Sequence, residues 1–257
     1  MTGPERRIWI HIGTHKTDTT SIQHALATLR PQLYAAGIHV PTIGTPASNP
    51  AIGPLTWALG HHNLAWQLYG DPRFHPDFGT IEQLLAELAA TACPTSVISS
   101  EDFEYLGRHP AALAGFDAGL AALGYQRSYL AFFRDAPSYL ASLLPQLRQL
   151  GCTETFEELR AQYAANRAIL VKQHYWHDFD RARFTAAIEA AVGPRLLVED
   201  YSATDMVPRF LRHIGAPPDL AETAAALPRQ QVTHLPRNQL CACGSGRRFK
   251  HCHGQNA

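Results

Sequence analysis

The segment HIGTHKTDTTSIQ, residues 11–23, concentrates side chains that bind anions. It contains Gly13, the basic residue Lys16 and, after Lys16, four hydroxyl residues, which are Thr17, Thr19, Thr20 and Ser21. A short apolar run precedes it and a stretch with helical spacing follows, so the segment is expected to be a turn between a strand and a helix. Backbone N–H groups converge at such a turn, and the lysine and hydroxyls add charge and donors. The segment therefore predicts a phosphate-binding loop, with a well-capped helix start as the alternative.

The order of residues in this loop differs from that of ATP-binding loops. Those require G-x-x-x-x-G-K-[ST], whereas Lys16 follows Gly13 by three residues with no second glycine between them. The segment instead resembles the 5′-phosphosulfate loop of sulfotransferases that use 3′-phosphoadenosine 5′-phosphosulfate (PAPS), in their bacterial branch. The match covers Gly13, His15, Lys16, Thr17, Thr19, Thr20, Ser21 and Gln23. The resemblance implies that PAPS contacts the loop at Gly13, His15, Lys16, Thr17, Thr19, Thr20 and Ser21, and at Asp18, which lies among them. Lys16 would also act in catalysis, by stabilising the leaving phosphate.

Asp18 departs from the family pattern, which has glycine at this position. The turn is expected to need a positive φ here, and aspartate is one of the few other residues that accept it. Its carboxylate would repel a phosphosulfate unless it points away or accepts backbone N–H bonds. The substitution leaves open a weakened or inactive enzyme.

A second match to the same family lies at FRDAPSYLAS. Arg134 ends a predicted strand and Ser142 follows eight residues later in the next helix. A guanidinium is a planar fork suited to phosphate oxygens, and a hydroxyl is a neutral donor. The resemblance implies that this pair holds the 3′-phosphate of PAPS, whereas a strand-terminal arginine alone is more often part of a surface ion pair.

Glu101 is the best candidate for the base that would accept a proton from the sulfate acceptor. It follows the predicted strand 96–99, and therefore lies at the carboxyl edge of the sheet, where ligands of such sheets bind. Its alternative roles are to cap the next helix or to pair with an arginine. Asp102 is a weaker candidate, and His15 and His62 are secondary ones.

The C-terminal tail carries a metal-ligand pattern. Cys241, Cys243, Cys252 and His253 form a C-x-C-x8-C-H set, which completes a tetrahedral, structural Zn²⁺ site, although a redox-active or disulfide-linked cluster is the alternative. The tail resembles the SEC-C motif, known from the SecA translocation motor. Residues after Glu222 carry a formal charge of +5, so the basic tail is a candidate surface for a protein partner.

Two helix starts show the residue spacing of a helix cap. Thr80 with Gln83 is a candidate capping box, and Thr155 with Glu158 caps a helix that is predicted over residues 156–170.

Strand-like and helix-like segments alternate along the rest of the chain. This pattern predicts an α/β fold, a parallel β-sheet flanked by helices, and the resemblance narrows it to a P-loop NTPase-like sulfotransferase fold with a small C-terminal zinc module. We expect a sulfotransferase domain over residues 1–225, a linker over 226–238 and the zinc module over 239–257. Residues 41–78 are interpreted as an insertion over one edge of the sheet that could line the acceptor site.

Composition narrows the range of partners. The 257 residues carry no net charge, so neither nucleic acid nor an anionic membrane is expected to be a partner, and no apolar stretch is long enough to span a membrane. The N-terminus lacks a signal-peptide pattern, and we expect a cytoplasmic protein.

The predicted activity is sulfuryl transfer from PAPS to a hydroxyl or amine of a small molecule or carbohydrate. The alternatives are a P-loop kinase or nucleotide hydrolase, and a non-catalytic adaptor that uses the zinc tail.

Overall fold

The computed structural model describes residues 5–46, 59–149, 152–171, 175–227 and 248. Its strands are β1 Arg6–His11, β2 Ile38–His39, β3 Thr95–Ser99, β4 Tyr125–Phe133, β5 Ala168–Val171, β6 Tyr175–Asp178 and β7 Leu196–Asp200. Five of them form a sheet in the order β2-β3-β1-β4-β7, and every neighbouring pair in it is parallel. The predicted parallel α/β sheet is therefore confirmed.

Helices cover both faces of this sheet. They are α1 Thr19–Thr28, α2 Arg30–Ala35, α3 His62–Tyr69, α4 Ile81–Ala90, α5 Pro110–Ala122, α6 Ala136–Gln149, α7 Phe156–Asn166, α8 Arg181–Val192, α9 Met206–His213 and α10 Pro218–Ala225. Two short 3-10 helices, Pro76–Phe78 and Glu101–Arg108, follow α3 and β3.

The core has one hydrophobic cluster on each side of the sheet. Ile8, Ile10 and Ile12 point to the side covered by α4, α5 and α8. Leu130 and Phe132 point to the other side, which α1, α2, α9 and α10 cover. Because successive side chains of a strand alternate between faces, buried strands of this kind need apolar residues at nearly every position. A third cluster joins α6, α7 and β5 beside the sheet.

Two helix starts that the sequence predicts are present as capping boxes. Thr80 accepts a hydrogen bond from the backbone N–H of Gln83 at the start of α4, and the Gln83 side chain accepts one from the N–H of Thr80. Thr155 and Glu158 make the same pair of bonds at the start of α7. Both signals are local, which is why the sequence alone reveals them.

The predicted extent of α7 is wrong. The apolar residues 168–170 were expected to continue the helix, but it ends at Asn166 and Arg167 takes a left-handed φ of 53°. The next residues form β5, which pairs with β6 as an antiparallel hairpin. Arg183 donates to the carbonyls of Asn166 and Arg167, so a contact from α8 stabilises this helix end.

The structure describes residues 41–46 and 59–78 of the expected insertion, and the second of these segments lies against the carboxyl end of β3. The backbone N–H of His61 donates to the carbonyl of Ser99, and α3 packs on the 3-10 helix Glu101–Arg108. In the part of the chain that the structure describes, no helix combines the length and the apolar character needed to cross a membrane.

Candidate active site

The carboxyl ends of the parallel strands bring the predicted site residues to one edge of the sheet. The predicted anion-binding loop, residues 12–18, follows β1, and Glu101 lies just beyond β3 on one side of it. Arg134 follows β4 on the other side. This edge is where ligands bind in open α/β sheets, because strand-to-helix turns and helix N-termini meet there.

The loop begins with a close approach between Gly13 and the segment after β3. Gly13 has a φ of 100°, and a Cβ atom at this position would lie 3.2 Å from the Cα of Glu101. Only glycine combines this conformation with so little space. The loop and the candidate base are therefore in direct backbone contact.

Asp18 occupies the left-handed conformation that its replacement of glycine led us to expect. Its φ is 65°, and its backbone carbonyl accepts hydrogen bonds from the N–H groups of Ser21 and Ile22. Its carboxylate accepts a hydrogen bond of 2.6 Å from the Ser21 hydroxyl. The amides of Thr19 and Thr20, in the first turn of α1, precede the first intrahelical bonds and remain donors for an anion.

Thr17 helps to shape the loop. Its side chain is fully buried, and its hydroxyl donates to the carbonyl of Thr14 at 2.6 Å. The backbone N–H of Thr14 donates in turn to the carbonyl of Phe132 on β4. A direct contact between Thr17 and an anion stays a prediction.

Lys16 supplies a cation in the loop. Its backbone has a φ of 62° and the residue is half-buried. Burial lowers the pKa of its ammonium, the nearby Arg134 guanidinium lowers it further, and Glu101 opposes both effects. The Lys16 ammonium therefore interacts electrostatically with Arg134 and Glu101, two other predicted site residues.

Arg134 contacts the loop directly. Its Nη1 donates to the carbonyl of Lys16 at 3.2 Å, and its Nε donates to the hydroxyl of Ser138 at 2.9 Å. Its guanidinium also lies over the ring of Tyr201, 4.9 Å from the ring centre. Ser142 lies one turn beyond Ser138 on α6 and is half-buried, and its predicted part in binding a 3′-phosphate stays a prediction.

Glu101 lies at the start of its 3-10 helix and is half-buried. Its Oε2 accepts a hydrogen bond of 2.7 Å from the side-chain amide of Gln23 on α1. The helix cap that the sequence left open as a role for Glu101 is instead made by Ser100, whose hydroxyl accepts the backbone N–H of Asp102.

Beneath the loop, His15 is held between two buried carboxylates. Glu104 accepts the backbone N–H of His15 at 2.7 Å, and the same oxygen lies 2.9 Å from His15 Nδ1. Asp102 lies 3.6 Å from His15 Nε2. Burial alone would lower the pKa of His15, but the two carboxylates raise it to about 10. His15 is thus a buried cation that ties the loop to the segment after β3.

The same network extends to neighbouring histidines and aromatic residues. Asp102 accepts a hydrogen bond from Trp66 at 2.7 Å and lies 3.3 Å from His62 Nδ1. Burial would raise the pKa of Asp102, but Arg73 and the histidines hold it well below its usual range. A carboxylate with so low a pKa is a weak proton acceptor at neutral pH.

The site also contains a possible set of metal ligands. His15, Glu104 and His177 place ring nitrogens and a carboxylate oxygen within 4.8 Å of one another. Two of the three groups already have partners in the protein, because Glu104 accepts the His15 backbone N–H and His177 Nδ1 lies 3.2 Å from the Tyr139 hydroxyl. Burial and the charge of His15 lower the pKa of His177 well below its usual value. We interpret the set as an ion-pair network that supports the loop.

The charge of His15 predicts a pH dependence of stability. Because the pKa of His15 is raised from 6.5 to about 10 in the folded state, its contribution is complete below pH 6.5 and is lost as the pH rises through 10. The difference in unfolding free energy between the wild type and a His15→Asn variant should therefore shrink over this interval. Urea unfolding of both proteins at several pH values measures it, and a difference that stays constant from pH 6.5 to 10 would contradict the ion-pair interpretation.

Sequence reasoning missed Gln23, Glu104 and His177 as members of the site. Gln23 belongs to the segment that resembles the sulfotransferase loop, but its spacing gives no sign that it meets Glu101. Glu104 and His177 come from segments that are distant along the chain, so only the tertiary fold brings them to His15.

Comparison with solved structures finds similarity to a bacterial sulfotransferase. It is a sulfotransferase from Alicyclobacillus acidocaldarius, 16% identical, with a TM-score of 0.44, and the match covers 85% of this chain and 83% of that one.

Among curated proteins, the chain is similar to protein translocase subunits SecA. The subunit of Burkholderia multivorans is 26% identical over 159 residues, which are 57% of this chain and 15% of the relative. That of Pseudomonas fluorescens is 52% identical over 42 residues, which are 16% of this chain and 4% of the relative. The chain thus spans a small fraction of the length of these relatives.

Residues 237–255 match the SEC-C motif, as the cysteine and histidine spacing led us to expect. The four predicted zinc ligands fall within the matched range and outside the residues that the structure describes. The protein therefore combines a parallel α/β fold with a SEC-C motif near its C-terminal end.

Proposed function

We propose that this protein is a PAPS-dependent sulfotransferase. The observation that carries the proposal is the convergence of three predicted groups at one edge of the sheet. Arg134 donates to the carbonyl of Lys16, and Glu101 lies in backbone contact with Gly13. A phosphosulfate in the loop would therefore have a cation beside it, a guanidinium at one end and a carboxylate at the other.

The loop would bind the 5′-phosphosulfate. Lys16 and the amides at the start of α1 supply positive charge and donors where negative charge collects. The 3′-phosphate would lie at Arg134, which uses two of its five N–H groups in hydrogen bonds to other described residues. Ser142 would add a hydroxyl from α6.

A cleft beside the loop is the proposed place for the nucleoside. Asp18, Ser21 and His24 line one side of it. The segment after β7 and the end of α10 line the other side, at Thr204, Met206, Val207, Pro208, Ala224, Ala225 and Leu227. The exposed lining of this cleft is mainly polar, with hydroxyl, imidazole and carboxylate groups that could bind the hydroxyls of a ribose.

In the transfer step, the acceptor oxygen or nitrogen would form a bond to the sulfur of PAPS. The bond between that sulfur and the bridging oxygen of the 5′-phosphate would break, leaving 3′-phosphoadenosine 5′-phosphate. Lys16 would stabilise the charge that develops on this leaving phosphate, and Glu101 would take the proton of the acceptor. The acceptor would be a small molecule or carbohydrate.

The direct test uses PAPS labelled in its sulfate group and a panel of hydroxyl and amine compounds. Label should move to at least one acceptor with the wild type and not with Lys16→Ala or Glu101→Gln, both of which should remain folded. If no label moves and the nucleotide does not bind, the proposal is wrong.

One observation favours a second function, that of a non-catalytic adaptor. The Asp18 carboxylate lies in the loop and accepts a hydrogen bond from the Ser21 hydroxyl. It therefore adds negative charge to the loop, and the Ser21 hydroxyl is no longer free to donate to an anion. In an adaptor, the loop would bind neither PAPS nor its product, and the basic tail would recruit a protein partner. Failure of the nucleotide to bind would support this function.

The SEC-C motif leads us to propose a structural zinc ion. Three thiolates from Cys241, Cys243 and Cys252 with the imidazole of His253 leave no open coordination position. Purified protein should contain one zinc per chain by elemental analysis, and Cys241→Ser should lose it. Because the predicted active site lies in another part of the chain, PAPS transfer should survive this change. A zinc-free wild-type protein would contradict the proposal.

A further inference from the structure

Gln23 is a buried polar residue that the proposed chemistry does not yet use. It lies on α1, one turn beyond the anion-binding loop, and its accessible surface is 1% of the free residue's. Its Nε2 donates to Glu101 Oε2 at 2.7 Å. An ionised carboxylate can only accept hydrogen bonds, so the amide nitrogen of Gln23 must face it.

This bond leaves the two oxygens of Glu101 in different situations. Oε2 is held by Gln23, whereas Oε1 accepts no hydrogen bond from any other residue in the described ranges. Glu101 is half-buried, so Oε1 is the oxygen available to a bound acceptor. A base held through one oxygen keeps the other in a fixed direction, which is what proton transfer requires.

The packing around Gln23 supports a fixed position for its amide. A Cβ atom at Gly60 would lie 2.7 Å from Gln23 Cδ and 2.4 Å from His62 Nε2. The absence of a side chain at residue 60 therefore allows the segment before α3 to lie directly on the amide. This cover leaves the Gln23 side chain almost no contact with solvent.

We propose that Gln23 is a positioning residue, which fixes Glu101 by donating to Oε2 so that Oε1 points at the acceptor of the transfer reaction. The proposal rests on the proposed sulfotransferase function. It gives Gln23 no contact with PAPS, so its effect should fall on the chemical step and not on nucleotide binding.

Several charged or titratable groups act on Glu101, and a test by pH must separate them. Lys16 comes from the loop, His11 from β1, His62 from α3 and Tyr139 from α6. Asp102 is its neighbour in the chain. His62 is the other group that could produce an acidic limb in the pH profile of kcat. Burial lowers its pKa, but Glu101 and Asp102 raise it above 6.5.

Two variants separate positioning from general stability. Gln23→Met keeps the size and removes the donor, and we expect kcat to fall about tenfold or more while KM for PAPS changes less than about twofold. Gln23→Glu places two carboxylates together, which should share a proton, so the acidic limb of the kcat profile should move up by about one pH unit or more. Glu101→Gln should remove this limb, whereas a limb due to His62 would remain.

Gln126→Met is the matched control. Gln126 also donates its amide to a glutamate, Glu5, but at the opposite end of the sheet. It should leave kcat, KM and the pH profile unchanged. If Gln23→Met keeps the wild-type kcat, or if Gln23→Glu keeps the wild-type acidic limb, the positioning role is wrong.

A readout without turnover separates failure of this inference from failure of the proposed function. The Glu101 carboxyl carbon can be followed by NMR in protein labelled at glutamate carboxyl carbons, with Glu101→Gln to assign its signal. In Gln23→Met this carbon should titrate at a higher pH than in the wild type, because the carboxylate loses a donor. An unchanged titration overturns the inference. A shifted titration in a protein that never transfers sulfate supports the contact and contradicts only the proposed function.

Discussion

Replacing Lys16 by methionine should lower the rate of sulfate transfer about 10²–10³-fold and weaken the binding of 3′-phosphoadenosine 5′-phosphate about tenfold or more. Methionine has an unbranched side chain like that of lysine, so it suits the left-handed backbone conformation of this position equally well. The substitution therefore removes the charge and leaves the shape of the side chain similar. The rate effect is the larger one because negative charge grows on the leaving phosphate during transfer. Single-turnover kinetics and calorimetry measure the two effects.

Two comparison variants make this result specific. Arg160→Met removes a cation that pairs with Glu157 on the exposed surface of α7, and it should change neither quantity. Glu101→Gln should lower the rate about 10²–10⁴-fold while the product nucleotide binds as in the wild type, because a base contacts the acceptor rather than the nucleotide. A Lys16→Met protein that binds and transfers like the wild type would contradict the assignment of the loop.

Replacing Arg134 by alanine should remove the preference for a 3′-phosphate. The ligands to compare are 3′-phosphoadenosine 5′-phosphate and adenosine 5′-monophosphate, which differ only in that group. A hydrogen-bonded charge of this kind contributes about 1.5–3 kcal/mol, so the doubly phosphorylated ligand should bind about 10–100-fold more weakly to the variant. The monophosphate should bind about as before.

The control for this experiment is Arg127→Ala. Arg127 lies near the amino end of β4, the strand that leads to Arg134, and it pairs with Asp117. Its loss should lower thermal stability without changing the ratio of the two affinities. If the affinities for both ligands fall equally in Arg134→Ala, the arginine only shapes the loop through its bond to the Lys16 carbonyl.

The parts of the site that could be predicted from the sequence are those encoded by neighbouring residues. The glycine, lysine and hydroxyls of the loop lie within nine positions, and the strand before them fixes where the turn must be. The capping boxes at Thr80 and Thr155 are equally local. Arg134 could be placed because it directly follows a strand of a parallel sheet, whose carboxyl ends all meet at one edge.

The rest depends on contacts between distant segments. The end of α7 is set by Arg183, which caps its last carbonyls, so the sequence from residue 156 to 170 alone gives no sign of the hairpin. The support of the loop by Glu104 joins residues 89 positions apart. The bond between Gln23 and Glu101 spans 78 positions. Neither of these long-range contacts follows a spacing rule that can be read along the chain.

Calorimetry of the wild-type protein shows whether a nucleotide binds through a 5′-group in the loop and a 3′-phosphate at Arg134. We expect 3′-phosphoadenosine 5′-phosphate to bind with one site per chain, at least about tenfold more tightly than adenosine 5′-monophosphate or ATP. Tighter binding of ATP, or no binding of any of the three, would contradict it.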